Sequence, residues 1–137
     1  MRVDEKLCGE IGLGLLVLVG IARNDTVEMA ERLAGKVARL RVFEDAGGRF
    51  DRSLLETGCA ALVVSQFTLL ADSRRQRGTR PDFSGAARPE VAEPLYEHFC
   101  GALRDLGAHV ETGVFGERMA VELVNDGPVT IVLDDSG

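Results

Sequence analysis

The sequence predicts an α+β protein with α/β-like features, in which a mixed, mostly antiparallel sheet, curved or partly closed into a barrel, carries two main helices. Three observations lead there. Strand-like runs outnumber the two stretches with helical spacing, and the connections between them are short, with no repeat or linker. At 137 residues and 45% hydrophobic composition, the chain is one domain, 1–137, able to bury a core without disulfides or a structural metal.

Taken in order, Val3 to Cys8 reads as a short strand punctuated by Gly9 and Gly12. Leu13 to Ala22 follows as a second strand whose continuous apolarity suggests burial on both faces. Arg23-Asn24-Asp25 turns the chain, and Asp25 with Glu28 forms a capping-box pattern. Val27, Ala30, Leu33, Ala34, Val37 and Leu40 then recur at helical spacing up to about Arg41. Arg41 to Glu44 reads as extended, Ala46-Gly47-Gly48 as a turn, and Phe50 to Leu55 as a short strand or an irregular segment. Ala60 to Phe67 is a strong strand. The second helix spans about Pro89 to Leu106, with proline suited to its first turn and Val91, Leu95, Phe99, Ala102, Leu103 and Leu106 on one face. Gly107 ends it, His109 to Thr112 begins a strand, Gly113 to Arg118 bends, and Met119 to Leu133 completes the sheet as two strands about a Gly127-Pro128 corner.

Composition narrows the function classes. The longest apolar stretch, Leu13 to Ile21, falls short of the roughly 20 residues that span a bilayer and lacks a signal-peptide pattern, so a cytoplasmic protein is expected. Cys8, Cys59 and Cys100 are far apart with no Cys-x-x-Cys pair, and read as buried small hydrophobes. His98 and His109 have no partner at ligand spacing, so neither a metal nor a cofactor is expected. A net charge of −6 argues against coating nucleic acid by bulk electrostatics. Locally, however, Arg74, Arg75, Arg77 and Arg80 form a cationic loop without an acid between Ser73 and Arg80, fit either to neutralise a few phosphates or to pair with nearby carboxylates.

Three constellations carry potential chemistry. At the end of the strong strand, apolar residues give way abruptly to Ser65-Gln66-Phe67-Thr68, which delivers hydroxyl and amide groups at a rigidly held position. A nucleophilic Ser or Thr needs a general base, and neither histidine has a context that supplies one. Gln66 and backbone amides can instead donate to an oxyanion, or these residues simply finish a strand. Gly127-Pro128 is either an ordinary β-turn or a cis peptide with exposed carbonyls; the residues alone leave both open. Phe83, Phe115 and Met119 lie at bends, where such side chains serve as core or as a stacking platform for a base.

Gly-Glu-Ile-Gly before the first apolar strand, Val-Ser-Gln-Phe-Thr-Leu-Leu-Ala-Asp at 64–72, Arg80-Pro81-Asp82-Phe83-Ser84, Pro94-Leu95-Tyr96 and Asn125-Asp126-Gly127-Pro128-Val129-Thr130 together closely resemble the D-aminoacyl-tRNA deacylase family over nearly the whole chain. The resemblance implies a homodimeric hydrolase, with active sites at the dimer interface, that cleaves a D-amino acid or glycine from the terminal adenosine of tRNA. In that family the Gly-Pro bond is cis and inserts into the partner's site, where its carbonyls exclude an L-residue; Gly127 and Pro128 match it. Ser65, Gln66, Phe67 and Thr68 then line the reacting ester, with Gln66 and backbone amides as oxyanion donors. Thr68 is often proposed as the nucleophile in the family; we favour water assisted by the ribose 2′-hydroxyl. Phe83, Phe115 and Met119 would hold the adenosine. Members usually carry, ahead of the segment matching Val3-Asp4, a further strand with a Gln-Arg pair whose arginine braces the Gly-Pro loop, and this sequence does not contain it. Leu70 stands where the family commonly has tyrosine. A second expectation, from a different class, is a non-catalytic RNA-binding or dimerisation module derived from the same fold.

Overall fold

A computed structural model of the chain describes residues 1–3, 6–72, 78–126 and 129–134. Its centre is a three-stranded parallel sheet. Strand β3 (Gly14–Val19) pairs with β6 (Ala60–Ser65), which pairs in turn with β7 (His109–Thr112). Parallel neighbours require crossovers, and each contains a long helix: α1 (Val27–Arg39) between β3 and β6, and α3 (Pro89–Asp105) between β6 and β7. Two short antiparallel ladders complete the paired strands, β1 (Arg2–Val3) with β2 (Lys6–Leu7) and β4 (Phe43–Glu44) with β5 (Phe50–Arg52). A short helix, α2 (Leu54–Thr57), follows β5. The mixed α+β class therefore holds without a closed barrel, and the antiparallel pairing is confined, among the described residues, to these ladders and to isolated bridges.

Alternation along β6 separates the two faces of the sheet. Ala61 and Val63 enter the main core with Val19, Val110, Ala34 and Val37 of α1, and Leu95, Tyr96, Phe99 and Leu103 of α3. Leu62 and Val64 point the other way, into a smaller cluster with Met1, Ile11, Leu16, Met119 and Val121. Ala61, Val63 and Val64 are at most 1% exposed, so β6 is the most deeply held strand. Each buried valine contributes about 1.5–3 kcal/mol from apolar burial.

Local chemistry explains the departures from expectation. Helix α1 is capped by Thr26, whose hydroxyl accepts from Met29 N at 3.3 Å, because the Asp25 carboxylate is engaged by Ala22 N at 2.7 Å. A capping box does form, at α2, where Ser53 and Glu56 exchange bonds of 3.1 and 3.2 Å. The Ser53 backbone and side-chain bonds hold the Glu56 carboxyl below its usual range. Strand β3 is not buried on both faces: helices cover one, while Leu18 on the other remains 44% exposed. Cys100 is buried as expected, but Cys59 is only half-buried and Cys8, directly after β2, is exposed. Residues 119–126 and 129–134 form no ladder beyond the Arg2↔Ala120 bridge, although two strands were expected there. A strand needs a partner for its amides and its apolar side chains; here Val124 and Val132 are 89% and 90% exposed.

Candidate active site

Strand β6 carries its polar terminus to the carboxyl edge of the parallel sheet, the edge at which open α/β sheets place their ligands. Ser65 still pairs in register with Val19, and Gln66 N then donates to Val19 O at 2.7 Å. The chain next folds into a 3₁₀ turn, Phe67–Leu70, closed by Leu69 N to Gln66 O at 3.3 Å and Ala71 N to Thr68 O at 3.1 Å. Within this turn Gln66 Nε2 donates to Thr68 Oγ1 at 2.5 Å. Such a turn leaves its first amides without intrahelical acceptors. Among the described residues no carbonyl takes the Phe67 or Thr68 N–H.

The segment bearing Phe83 is tied beside this turn. Asp72 N donates to Asp82 O at 2.8 Å, and Ser84 N donates to Asp82 Oδ1 at 2.8 Å. Ala87 N reaches Ile21 O at 2.9 Å, and Arg23 N reaches Gly85 O at 3.0 Å. These bonds set the Phe83 ring edge-on to Phe67 with centroids 5.1 Å apart. Phe67 is 57% exposed, so the pair presents an aromatic surface directly beside the Gln66–Thr68 bond.

Thus Ser65, Gln66, Phe67, Thr68 and Phe83 converge. Phe115 and Met119 are placed differently. Phe115 lies on the helix side of the sheet, 5.9 Å from the Tyr96 ring, and Met119 packs in the opposite cluster with Val64, one residue before Ser65. Arg80 is exposed at the loop's exit, whereas Arg74, Arg75, Arg77, Gly127 and Pro128 lie outside the described residues. On either side of that corner, Asn125 Oδ1 accepts from Val129 N at 3.2 Å and Asn125 Nδ2 donates to Thr130 Oγ1 at 3.0 Å. Neither histidine approaches the turn. His109 stands opposite Ala60, at the far end of β6, roughly 17 Å from Ser65 at about 3.3 Å per residue, and pairs with Glu111 at 3.3 Å. His98 faces a groove of about 700 Å³ between α1 and α3.

The sequence profile of the D-Tyr-tRNA(Tyr) deacylase family matches residues 1–134. The chain belongs to this family. Among its relatives, the D-aminoacyl-tRNA deacylase of Anaeromyxobacter dehalogenans (strain 2CP-C) is 58% identical over 134 residues, 98% of this chain and 89% of that protein. The one from Thermus aquaticus is 54% identical over 136 residues, 99% of this chain and 88% of its own. Of solved structures, the c-Myc DNA unwinding element binding protein is similar with a TM-score of 0.87 and 38% identity, over 95% of this chain and 87% of that one. A probable eukaryotic D-amino acid tRNA deacylase, at TM-score 0.65 and 18% identity over 75% of each chain, shares the fold.

In this deacylase-family chain, one contributor escaped the sequence reading. Tyr96, the sole tyrosine, donates its buried hydroxyl to Val63 O at 2.8 Å and so anchors β6 to α3 two residues before Ser65. It entered the sequence reading only within the Pro94-Leu95-Tyr96 motif, without a role; the physical signal is a polar aromatic on a helix, since such a group finds a partner when buried. Burial, with the neighbouring Cys100 thiol, pushes the Tyr96 hydroxyl well above its usual value, and burial likewise raises Cys100.

Proposed function

We propose that this chain hydrolyses the ester between a D-amino acid, or glycine mischarged on tRNA(Ala), and the terminal adenosine of tRNA, releasing the amino acid and free tRNA. Family membership supports the reaction class. The observation that carries the chemistry is the Gln66–Thr68 turn: polar donors at a rigid strand end, beside an exposed aromatic pair, with neither histidine in reach. Donors with no histidine in reach among the described residues suit a reaction whose nucleophile is activated by the substrate. Water adds to the ester carbonyl, assisted by the ribose 2′-hydroxyl; the second Gln66 amide proton and the backbone amides meet the oxyanion, while the Thr68 oxygen holds the Gln66 amide in place; the carbon–oxygen bond then breaks, and the ribose oxygen leaves with a proton. A well-placed oxyanion donor contributes about 3–4 kcal/mol to such a step. Phe67 and Phe83 offer a surface for the adenine, joined in this reading by Phe115 and Met119.

In the same reading Gly127-Pro128 is a cis corner acting as a backbone wall against L-residues in a homodimer's neighbouring site, since discrimination between enantiomers demands a clash with one of them. The uncovered Leu123, Val124, Ile131 and Val132 support a second copy as their cover. The arginines 74, 75, 77 and 80 follow the tRNA backbone. Among the described residues no helix is long and apolar enough to cross a membrane, which fits work on the cytoplasmic aminoacyl-tRNA pool.

Incubation with D-Tyr-tRNA and L-Tyr-tRNA tests the proposal: hydrolysis of the D-ester alone is expected. Persistence of the D-ester at enzyme excess refutes the hydrolase and leaves a binding module, while loss of both esters refutes the chiral filter. Sedimentation at the mass of a single chain refutes the homodimer.

A further inference from the structure

Gly20 follows β3 directly, and its φ lies outside the left-handed range, so its backbone conformation does not call for glycine. Space does. A Cβ built there overlaps Leu70 Cδ2 and lies 3.1 Å from Leu69 Cβ and 3.2 Å from Gln66 O. All three atoms belong to the segment that holds Gln66 against Thr68. The first is the end of a flexible side chain and can move, but the other two are fixed to the backbone. The same backbone is already bonded to the residue before Gly20, through Gln66 N and Val19 O at 2.7 Å. The missing side chain at residue 20 therefore lets the turn sit flat against the end of β3.

We propose that Gly20 is a positioning residue for catalysis: its bare backbone sets the height of the Ser65–Thr68 turn above β3, and any side chain there lifts Gln66 and Thr68 away from the ester. The inference rests on the hydrolase reading above. It predicts loss concentrated in the chemical step, because the three atoms nearest a Cβ at residue 20 belong to Gln66, Leu69 and Leu70 and none to Phe67 or Phe83. Displacement of catalytic groups by 1 Å costs about a hundredfold. Alanine, which needs a shift of a fraction of that, is expected to lower kcat on D-Tyr-tRNA about tenfold to a hundredfold while KM stays within about threefold.

The test compares wild type, Gly20→Ala, Leu70→Ala and the double variant Gly20→Ala/Leu70→Ala, at a temperature where circular dichroism shows each folded. Trimming Leu70 removes the worst overlap and leaves the 3.1 and 3.2 Å contacts, so the double variant regains part of the missing kcat. Unchanged kcat in folded Gly20→Ala, or a rise in KM with kcat intact, overturns the proposal. Should Gly20→Ala not fold, Leu70→Ala decides, since it loosens the same seat: a several-fold fall in kcat at constant KM supports the proposal, and an unchanged kcat overturns it. Amide resonances separate this question from the hydrolase reading. Gly20→Ala, or Leu70→Ala in its place, shifts the signals of residues 66–70 and leaves those of α1 still, whether or not wild type cleaves the ester; static 66–70 signals overturn the positioning role alone.

Discussion

Replacing Thr68 by alanine separates two mechanisms by magnitude. In the structure the threonine oxygen accepts the Gln66 amide at 2.5 Å, an arrangement that draws electron density from a nucleophile, and neither histidine is near enough to take its proton. If water attacks, Thr68→Ala removes one neutral hydrogen bond, about 0.5–1.5 kcal/mol, which slows single-turnover cleavage of D-Tyr-tRNA by about two- to twelvefold. If threonine attacks, the loss approaches that of deleting a serine-protease nucleophile, about a millionfold, and is at least a thousandfold. Gln66→Ala is the internal comparison: loss of an oxyanion donor costs about 10²–10³ in rate, so it falls well below Thr68→Ala. The assay is decay of labelled D-Tyr-tRNA under enzyme excess, with melting temperature measured on the same preparations. A loss beyond a thousandfold in a folded Thr68→Ala protein, or a Gln66→Ala protein faster than Thr68→Ala, refutes the substrate-assisted reading.

Arg74→Ala combined with Arg75→Ala should weaken tRNA binding and flatten its salt dependence by about 0.7–0.9 in log–log slope for each phosphate no longer neutralised; an unchanged slope removes the loop from the tRNA path. Tyr96→Phe keeps the ring against Phe115 but strands the Val63 carbonyl, costing about 1–2 kcal/mol, or about 3–8 °C in calorimetry. Because folding raises the Tyr96 pKa, its hydroxyl stabilises the fold below the ordinary tyrosine value near 10 and that contribution is lost as pH climbs above it, so Tyr96→Phe should have a shallower alkaline melting curve. Asn125→Ala frees Val129 N and Thr130 from their clamp across the Gly127-Pro128 corner, and the ratio of D- to L-Tyr-tRNA hydrolysis should fall; an unaltered ratio means that the corner holds its shape without Asn125. Of the thiols, Cys8 should react first with a chromogenic disulfide and Cys100 last, since burial both shields Cys100 and raises its pKa.

Elements whose signal is local were legible in the sequence. Pro89 and the apolar face behind it give α3 within a residue at its end, and the abrupt change from Ala-Leu-Val-Val to Ser-Gln marks both the strand end and the candidate site. What depends on a partner was not. Continuous apolarity in Leu13 to Val19 is a mark of parallel pairing, but the direction of the neighbour is a property of the crossover through α1, not of β3 itself. Asp25 and Thr26 are both good caps, and the choice fell to a backbone amide at Ala22 that no pattern discloses. Residues 119–134 have strand composition, yet composition cannot supply the hydrogen-bonding edge that a strand requires. Gly20 lay without a signal inside the expected strand Leu13 to Ala22, because crowding by Leu69, Leu70 and Gln66 exists only once β3 and β6 lie side by side.

The two halves of the candidate site are held by different physics, and this bears on what each can do. The turn at the end of β6 is fastened from below by Val19 O, from behind by the Tyr96–Val63 bond, and at its flank by the Asp72–Asp82 pairing, all within or beside a strand whose residues 61–64 are buried. Groups held so firmly keep their donor geometry when the substrate arrives, which is the condition under which an oxyanion donor is effective. Next to Gly127-Pro128, Asn125 ties Val129 and Thr130, while Leu123, Val124, Ile131 and Val132 are open to solvent. A wall that rejects L-residues must resist displacement, and on the proposed function a surface covering Leu123, Val124 and Val132 adds to that resistance. On that reading, a second copy therefore serves the filter and not the donors: rate is set within one chain, and chirality between two.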